Sequence, residues 1–173
     1  NWVLTAGDTD EVAFRLATGS GDATKIEASG VVTTGTWHYI AGVYDGSDMY
    51  LYVDGVQEAT TNKTGNVRNG TGSETCLFTD PKQKTDRNMD GRMADVRIYN
   101  RALSAAEIQT VYMSFGADGI LYGLLHRWKM DEFVPGASIS GSAVLKDEVG
   151  GYHATPVNTP TGAEMGPLKR RYL

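Results

Sequence analysis

Apolar and polar residues alternate with a period of two along most of this chain, and Gly, Asp, Asn and Thr interrupt the alternation at short intervals. Such a pattern predicts short β-strands joined by tight turns. Residues 2–4 and 12–16 read as strands, and 25–32 carry a weaker alternation. The densest stretch is 35–55. Trp37, Tyr39, Ala41 and Val43 fall on one face, and Met49, Leu51 and Val53 continue that face beyond the turn at 45–48. His38, Ile40 and Tyr44 fall on the other, with Tyr50 and Tyr52 across from them. Asp54-Gly55 is a two-residue hairpin signal, and a third strand starts at Val56. Both faces carry large side chains, so the pair is expected at the centre of a sheet.

Further along, residues 60–73 read as a polar exposed loop, 75–78 as a short strand and 80–88 as a charged loop. A strand follows with Ala94, Val96 and Ile98 on one face and Met93, Asp95, Arg97 and Tyr99 on the other, ending at Asn100. Ser104-Ala105-Ala106-Glu107 is a capping box that opens one short helix near residues 104–112. Leu103 and Ile108 are spaced for a hydrophobic staple across its start. Residues 121–130 then alternate again, with Leu124, His126, Trp128 and Met130 against Leu125, Arg127 and Lys129. Residues 144–155 hold a strand fragment, a glycine-rich turn and another strand, and 158–173 read as an extended arm. The fold class is all-β, with a single short helix.

Composition narrows the function classes. The chain has 173 residues, 21 of them glycine, and a formal net charge of −5. A net negative chain whose one basic cluster is Lys169-Arg170-Arg171 is not expected to bind nucleic acid. No apolar run is long enough to span a membrane. Cys76 is the single cysteine, so an intrachain disulfide and a thiolate zinc site are excluded. It reads as a half-buried strand residue. The sequence starts without Met in the middle of a strand-like pattern, as expected if a leader has been removed or the chain is part of a longer one.

Two segments resemble the laminin-G-like, concanavalin A-like jelly-roll domains of extracellular and surface proteins. The first is 35–46 with 51–55, similar to the family's "tW-H-aVYDG…lYvDG" hairpin. The second is 90–108, similar to its "G-iDEVRIYNRALS-eEI" end, except that Ala94-Asp95-Val96 supplies one carboxylate where the family has two. The resemblance covers roughly residues 1–112 and implies an antiparallel two-sheet jelly-roll sandwich. The stretch 126–132, followed by 146–155, is similar to the family's opening, yet here it comes after the end. Residues 1–115 are therefore expected to form the main sandwich strands. Residues 116–173 are expected to complete this sandwich or a neighbouring one.

Candidate chemistry follows from both sources. Glycosidases on this fold need two carboxylates facing one cleft. Asp131-Glu132 and Asp147-Glu148 are adjacent pairs that point to opposite faces, and Asp8 and Asp10 lie in a turn. His38, His126 and His153 have no serine or cysteine in a nucleophile setting. The chain is therefore expected not to be an enzyme. The resemblance implies a structural calcium ion shared by Asp147 and Asp95, with backbone groups near Gly150 and His153 completing the site. The competing reading pairs Asp95 with Arg97 or Arg92 and makes Asp147 a turn former. His38, Tyr44, Tyr50 and Tyr52 form the candidate ligand face, for a glycan. Asn62 and Asn69 are glycosylation sequons. Two function classes result, both extracellular or at the cell surface. One is a structural subunit that self-associates with copies of itself into a filament or array by sharing strands, which the displaced motif favours. The other is a lectin-like module that binds carbohydrate or protein.

Overall fold

A computed structural model describes residues 2–6, 10–19, 23–68, 77, 91–131 and 145–155. Cys76, Asn69, the strand expected at 75–78 and the arm expected at 158–173 lie outside the described residues. The chain divides into two compact units: Asn1–Met89 with Arg101–Met113, and Asp90–Asn100 with Ser114–Leu173.

In the first unit, β1 (Trp2–Ala6), β2 (Glu11–Leu16) and β3 (Thr24–Ser29) form an antiparallel sheet in that order. A second antiparallel sheet runs β4 (Ile40–Tyr44), β5 (Asp48–Val53), β6 (Val56–Asn62). Val12, Phe14 and Leu16 of β2, Ile26 of β3, and Met49, Leu51 and Val53 of β5 make one buried cluster between the sheets. Each such side chain stabilises the fold by roughly 1.5–3 kcal/mol relative to exposure. The outward positions of the first sheet are polar apart from Val3 and Ala13, and Lys25 forms ion pairs there with Glu11 and Glu27. The sheets meet closely at Gly42, where a Cβ atom would sit 2.7 Å from the Phe14 ring. Glycine is required at that position by contact, not by its backbone angles.

The register of the central hairpin corrects the expected faces. Tyr44 pairs with Met49, Val43 with Tyr50, Gly42 with Leu51 and Ala41 with Tyr52. Four residues separate Tyr44 from Met49, and an even spacing sets odd positions of one strand beside even positions of the next. Tyr44 therefore lies on the core side with Ile40, Met49, Leu51 and Val53, and it packs against the buried cluster with Ile40. Tyr50 and Tyr52 lie on the opposite side with Val43 and Ala41. The three tyrosines do not share a face. Asp54 (φ 49°) and Gly55 (φ 82°) are both left-handed, as a two-residue primed turn demands. β4 begins only at Ile40, because the Tyr39 N–H donates to Asp54 Oδ1 at 2.8 Å instead of to a strand. β6 extends to Asn62, into the expected loop, since Thr60 and Thr61 pair with Tyr50 and Met49.

The helix, α1 (Ala105–Ser114), starts at the predicted box and ends two residues later than expected. The Glu107 N–H donates to Ser104 Oγ at 3.3 Å, and the Ser104 N–H donates to Glu107 Oε2 at 2.9 Å. Arg101, the Ser104 N–H and the Ser104 hydroxyl, which donates to Oε2 at 3.0 Å, hold the Glu107 carboxyl down at about 2. Leu103, Ile108 and Val111 are buried. Tyr112 reaches Tyr39, with ring centroids 6.2 Å apart.

In the second unit, β7 (Val96–Tyr99) pairs antiparallel with β8 (Leu124–Trp128), in the register Val96–Trp128, Arg97–Arg127, Ile98–His126. The family-like opening stretch thus finds its partner strand in the same chain. One face of the pair carries Val96, Ile98, His126 and Trp128, and the other carries Arg97 and Arg127. Residues 145–155 lie along β8, with bridges from Asp147 to Trp128 and from Leu145 to Ala154.

Candidate functional site

The turn at 147–153 is built around a carboxylate that solvent does not reach. Asp147 has a fully buried side chain, and five N–H groups converge on it. Oδ1 accepts from the backbone of Arg127 at 3.0 Å and from Val149 and Gly150 at 3.1 Å each. Oδ2 accepts from the Tyr152 N–H at 3.0 Å and from His126 Nδ1 at 2.7 Å. Burial alone would raise the pKa of this group. The donors from Arg127, His126, Val149 and Gly150 outweigh it and hold the carboxyl well below the usual carboxylate range. The Asp147 N–H in turn donates to His153 Nδ1 at 3.1 Å. Gly150 is needed here by contact, since a Cβ would fall 2.6 Å from the Leu125 carbonyl oxygen.

The same turn orders three aromatic rings. His126 stacks on Trp128 at 5.5 Å between centroids, and Tyr152 meets His126 edge-on at 5.2 Å and 88°. Trp128 Nε1 donates to the Tyr152 carbonyl at 3.0 Å. Trp128 is buried, whereas the Tyr152 residue is 73% exposed. Lys129 and Glu148 form an ion pair of 2.7 Å at the same turn, both partly exposed.

Behind the strands lies a cluster of charges. Arg97 and Arg127 are direct cross-strand partners, a repulsive arrangement unless an anion intervenes. Asp95 supplies that anion from a left-handed backbone conformation (φ 51°). Arg97 donates from Nη2 to Asp95 Oδ2 at 2.7 Å, and Arg127 from Nε to Oδ1 at 2.6 Å. Both Nη2 groups also donate to the Gly116 carbonyl. Arg97 Nη1 lies 3.0 Å from both oxygens of Asp118 and hydrogen-bonds to Oδ1, which also accepts the Ile120 N–H at 2.8 Å. Oδ2 of Asp118 has no hydrogen bond of its own. Burial disfavours the charge on Arg97, but Asp95 and Asp118 reverse that and raise its pKa. For Asp118, burial acts upward and the Arg97 guanidinium and the Ile120 N–H bring the pKa down.

These contacts bear on the expected calcium site. Calcium takes about six to eight oxygen ligands. Here the oxygens of Asp147 face N–H donors, those of Asp95 face two guanidinium groups, Gly150 presents its N–H to the turn, and His153 accepts through Nδ1. The donor set in this arrangement does not fit the ion. Among the described residues, no three His, Cys, Asp or Glu side chains gather as a metal site. Arg127 occupies the bridging position instead. Its backbone N–H serves Asp147 and its guanidinium serves Asp95.

The expected ligand face is also redistributed. His38 Nδ1 donates to Asp54 Oδ2 at 2.8 Å, and its Nε2 accepts the Thr33 N–H at 3.0 Å, so the ring fastens a turn. The Tyr44 hydroxyl donates to the Gly65 carbonyl. Tyr50 donates to Asp45 Oδ2 at 3.1 Å, and Tyr52, which is buried, donates to Gln57 Oε1 at 3.3 Å. Of the sequons, Asn62 ends β6, and its Nδ2 donates to the Ser47 carbonyl at 2.8 Å.

Sequence reasoning singled out Asp147, Gly150 and His153 as neighbours, and the structure brings them together. It separates them in role from Asp95, and it adds His126, Arg127 and Tyr152. The signal for Tyr152 was present as Asp147…Gly150-Gly151-Tyr152, a side-chain-bonded turn followed by two glycines that lift an aromatic out of the chain. No sequence signal marks Asp118.

The sequence profile of the concanavalin A-like lectin/glucanases superfamily matches residues 1–109. Comparison with curated proteins finds no matching sequence. Among solved structures, a presumed carbohydrate-binding protein of Bacteroides ovatus is similar, with a TM-score of 0.65 and 18% identity over 95% of this chain and 47% of that one. An S-layer domain-containing protein of Clostridium thermocellum gives a TM-score of 0.37 and 23% identity over 63% of this chain and 54% of its own. The chain spans about half the length of each of these proteins. The two sheets that share a buried core and the profile that runs through them agree: this chain belongs to the concanavalin A-like lectin/glucanases superfamily.

Proposed function

We propose that the chain is a non-catalytic carbohydrate-recognition module of an extracellular or cell-surface protein. The observation that carries this reading is the fate of the buried acids. Asp95, Asp118 and Asp147 each end on guanidinium or N–H donors, which removes them from the paired acid and base roles that glycoside hydrolysis requires. What they support instead is a rigid surface. The extracellular setting rests on the laminin-G-like resemblance.

The other reading is a brick in a self-assembling array. Its motive was an opening motif in search of a partner strand, and β8 has such a partner in β7 of its own chain. That pairing favours the module. Purified chain applied to a glycan array, with its mass followed by light scattering, tests the choice. Selective glycan retention by a monomer is expected. Mass that grows with concentration toward filaments, with no glycan retained, would replace this function by the array.

A further inference from the structure

Tyr152 is exposed, yet little about it is free. Its N–H is held by Asp147 Oδ2, its carbonyl by Trp128 Nε1, and its ring rests edge-on against His126. His126 is itself fixed by Asp147 through Nδ1 and by stacking on Trp128. Gly150 and Gly151 precede the tyrosine and place no side chain beside it. The fold has therefore paid the ordering cost of a large aromatic surface without burying it. A solvent-facing aromatic on a fixed backbone, with one edge against a held ring, suits a ligand with a flat apolar side, because part of the ordering cost is met before binding.

We infer that Tyr152, backed by His126, is the stacking platform of a glycan site, and that its ligand is a neutral pyranoside. A pyranose ring with its hydroxyls equatorial offers an apolar C–H face to the phenol. Val149, 50% exposed, and the partly exposed Glu148–Lys129 pair belong to the same turn and are its candidate apolar and polar contributors to such a site. The formal charge of −5 and the carboxylate of Glu148 work against uronate or sulfated glycans. This assignment rests on the carbohydrate-recognition reading and locates it in the second unit instead of on the tyrosines of the central hairpin.

The test uses the full chain on an array that carries neutral β-glucan, chitin-type and galactan oligosaccharides beside uronate and sulfated ones. Wild type, Tyr152→Ala, Tyr152→Phe and, as an exposed control, Tyr122→Ala are compared after circular dichroism has established that each is folded. Support is retention of neutral glycans by wild type, a loss of at least tenfold in Tyr152→Ala, and near-complete retention in Tyr152→Phe and Tyr122→Ala. Equal binding by wild type and Tyr152→Ala overturns the platform and leaves the module reading standing. Preference for the anionic glycans overturns the ligand class. Absence of glycan binding by wild type overturns the module reading itself. If wild type instead forms a dimer that Tyr152→Ala abolishes, the exposed ring is a protein contact and the glycan platform fails.

Discussion

At the scale of single residues, Asp147 decides the most. Five donors meet two carboxylate oxygens, so an amide cannot replace it without turning its own N–H groups toward donors. Asp147→Asn is expected to destabilise the protein by about 2–3 kcal/mol, read from urea unfolding. The pH dependence has a fixed sign. Because the folded carboxyl is held below its unfolded value, its contribution is complete above roughly pH 4 and is lost as pH falls through the folded pKa. Wild type should therefore lose stability steeply on that acid limb, and the Asn variant should lose less. That Asp147 forms a turn was legible in the text, since Asp followed by Val-Gly-Gly reads as a side-chain-bonded turn. That His126 and the Arg127 backbone complete its shell was not, because 20 or more residues separate the partners and nothing local announces them.

At the scale of elements, sequence was a good guide to type and a poor one to facing. The alternation located β2, β4, β5 and β8, and the Ser104–Glu107 spacing located the helix to within a residue at its start. Ser104→Ala is expected to cost about 1 kcal/mol, since it leaves a first-turn N–H of the helix without its acceptor, measurable as a shift in denaturant midpoint. The tyrosine face failed for a geometric reason. Periodicity within a strand says nothing about its alignment with the next, which the length of the connection sets. Here that length places Tyr44 inside and Tyr50 and Tyr52 on the reverse. The start of β4 was equally hidden, because it depends on Asp54 competing for the Tyr39 N–H from across a hairpin.

At the scale of the whole molecule, the displaced opening motif was legible and its destination was not, since sequence alone left open whether it serves its own chain or another. The pairing of β8 with β7 is reinforced by the charge cluster behind it. Arg97→Met would strand Asp118, whose side chain is 1% exposed, and leave Asp95 with Arg127 as its guanidinium partner, and is expected to cost about 3–5 kcal/mol. Amide exchange in Val96–Tyr99 and Leu124–Trp128 should accelerate accordingly. Since Arg127 stands where a bridging cation would, neither added calcium nor a chelator is expected to move the melting temperature. A calcium-dependent rise would mean that the carboxylates exchange their partners for the ion. The aromatic stack has a consequence of another kind. Of the three tryptophans in the sequence, Trp2 and Trp37 are 44% and 41% exposed, and Trp128 is 5% exposed. Emission at the blue edge of the spectrum is therefore expected from Trp128, whose indole is stacked on His126 and bonded to the Tyr152 carbonyl. The protein carries its own optical gauge of the Asp147 turn, readable without a label, and a sugar settling on Tyr152 would change the light from the ring stack beneath it.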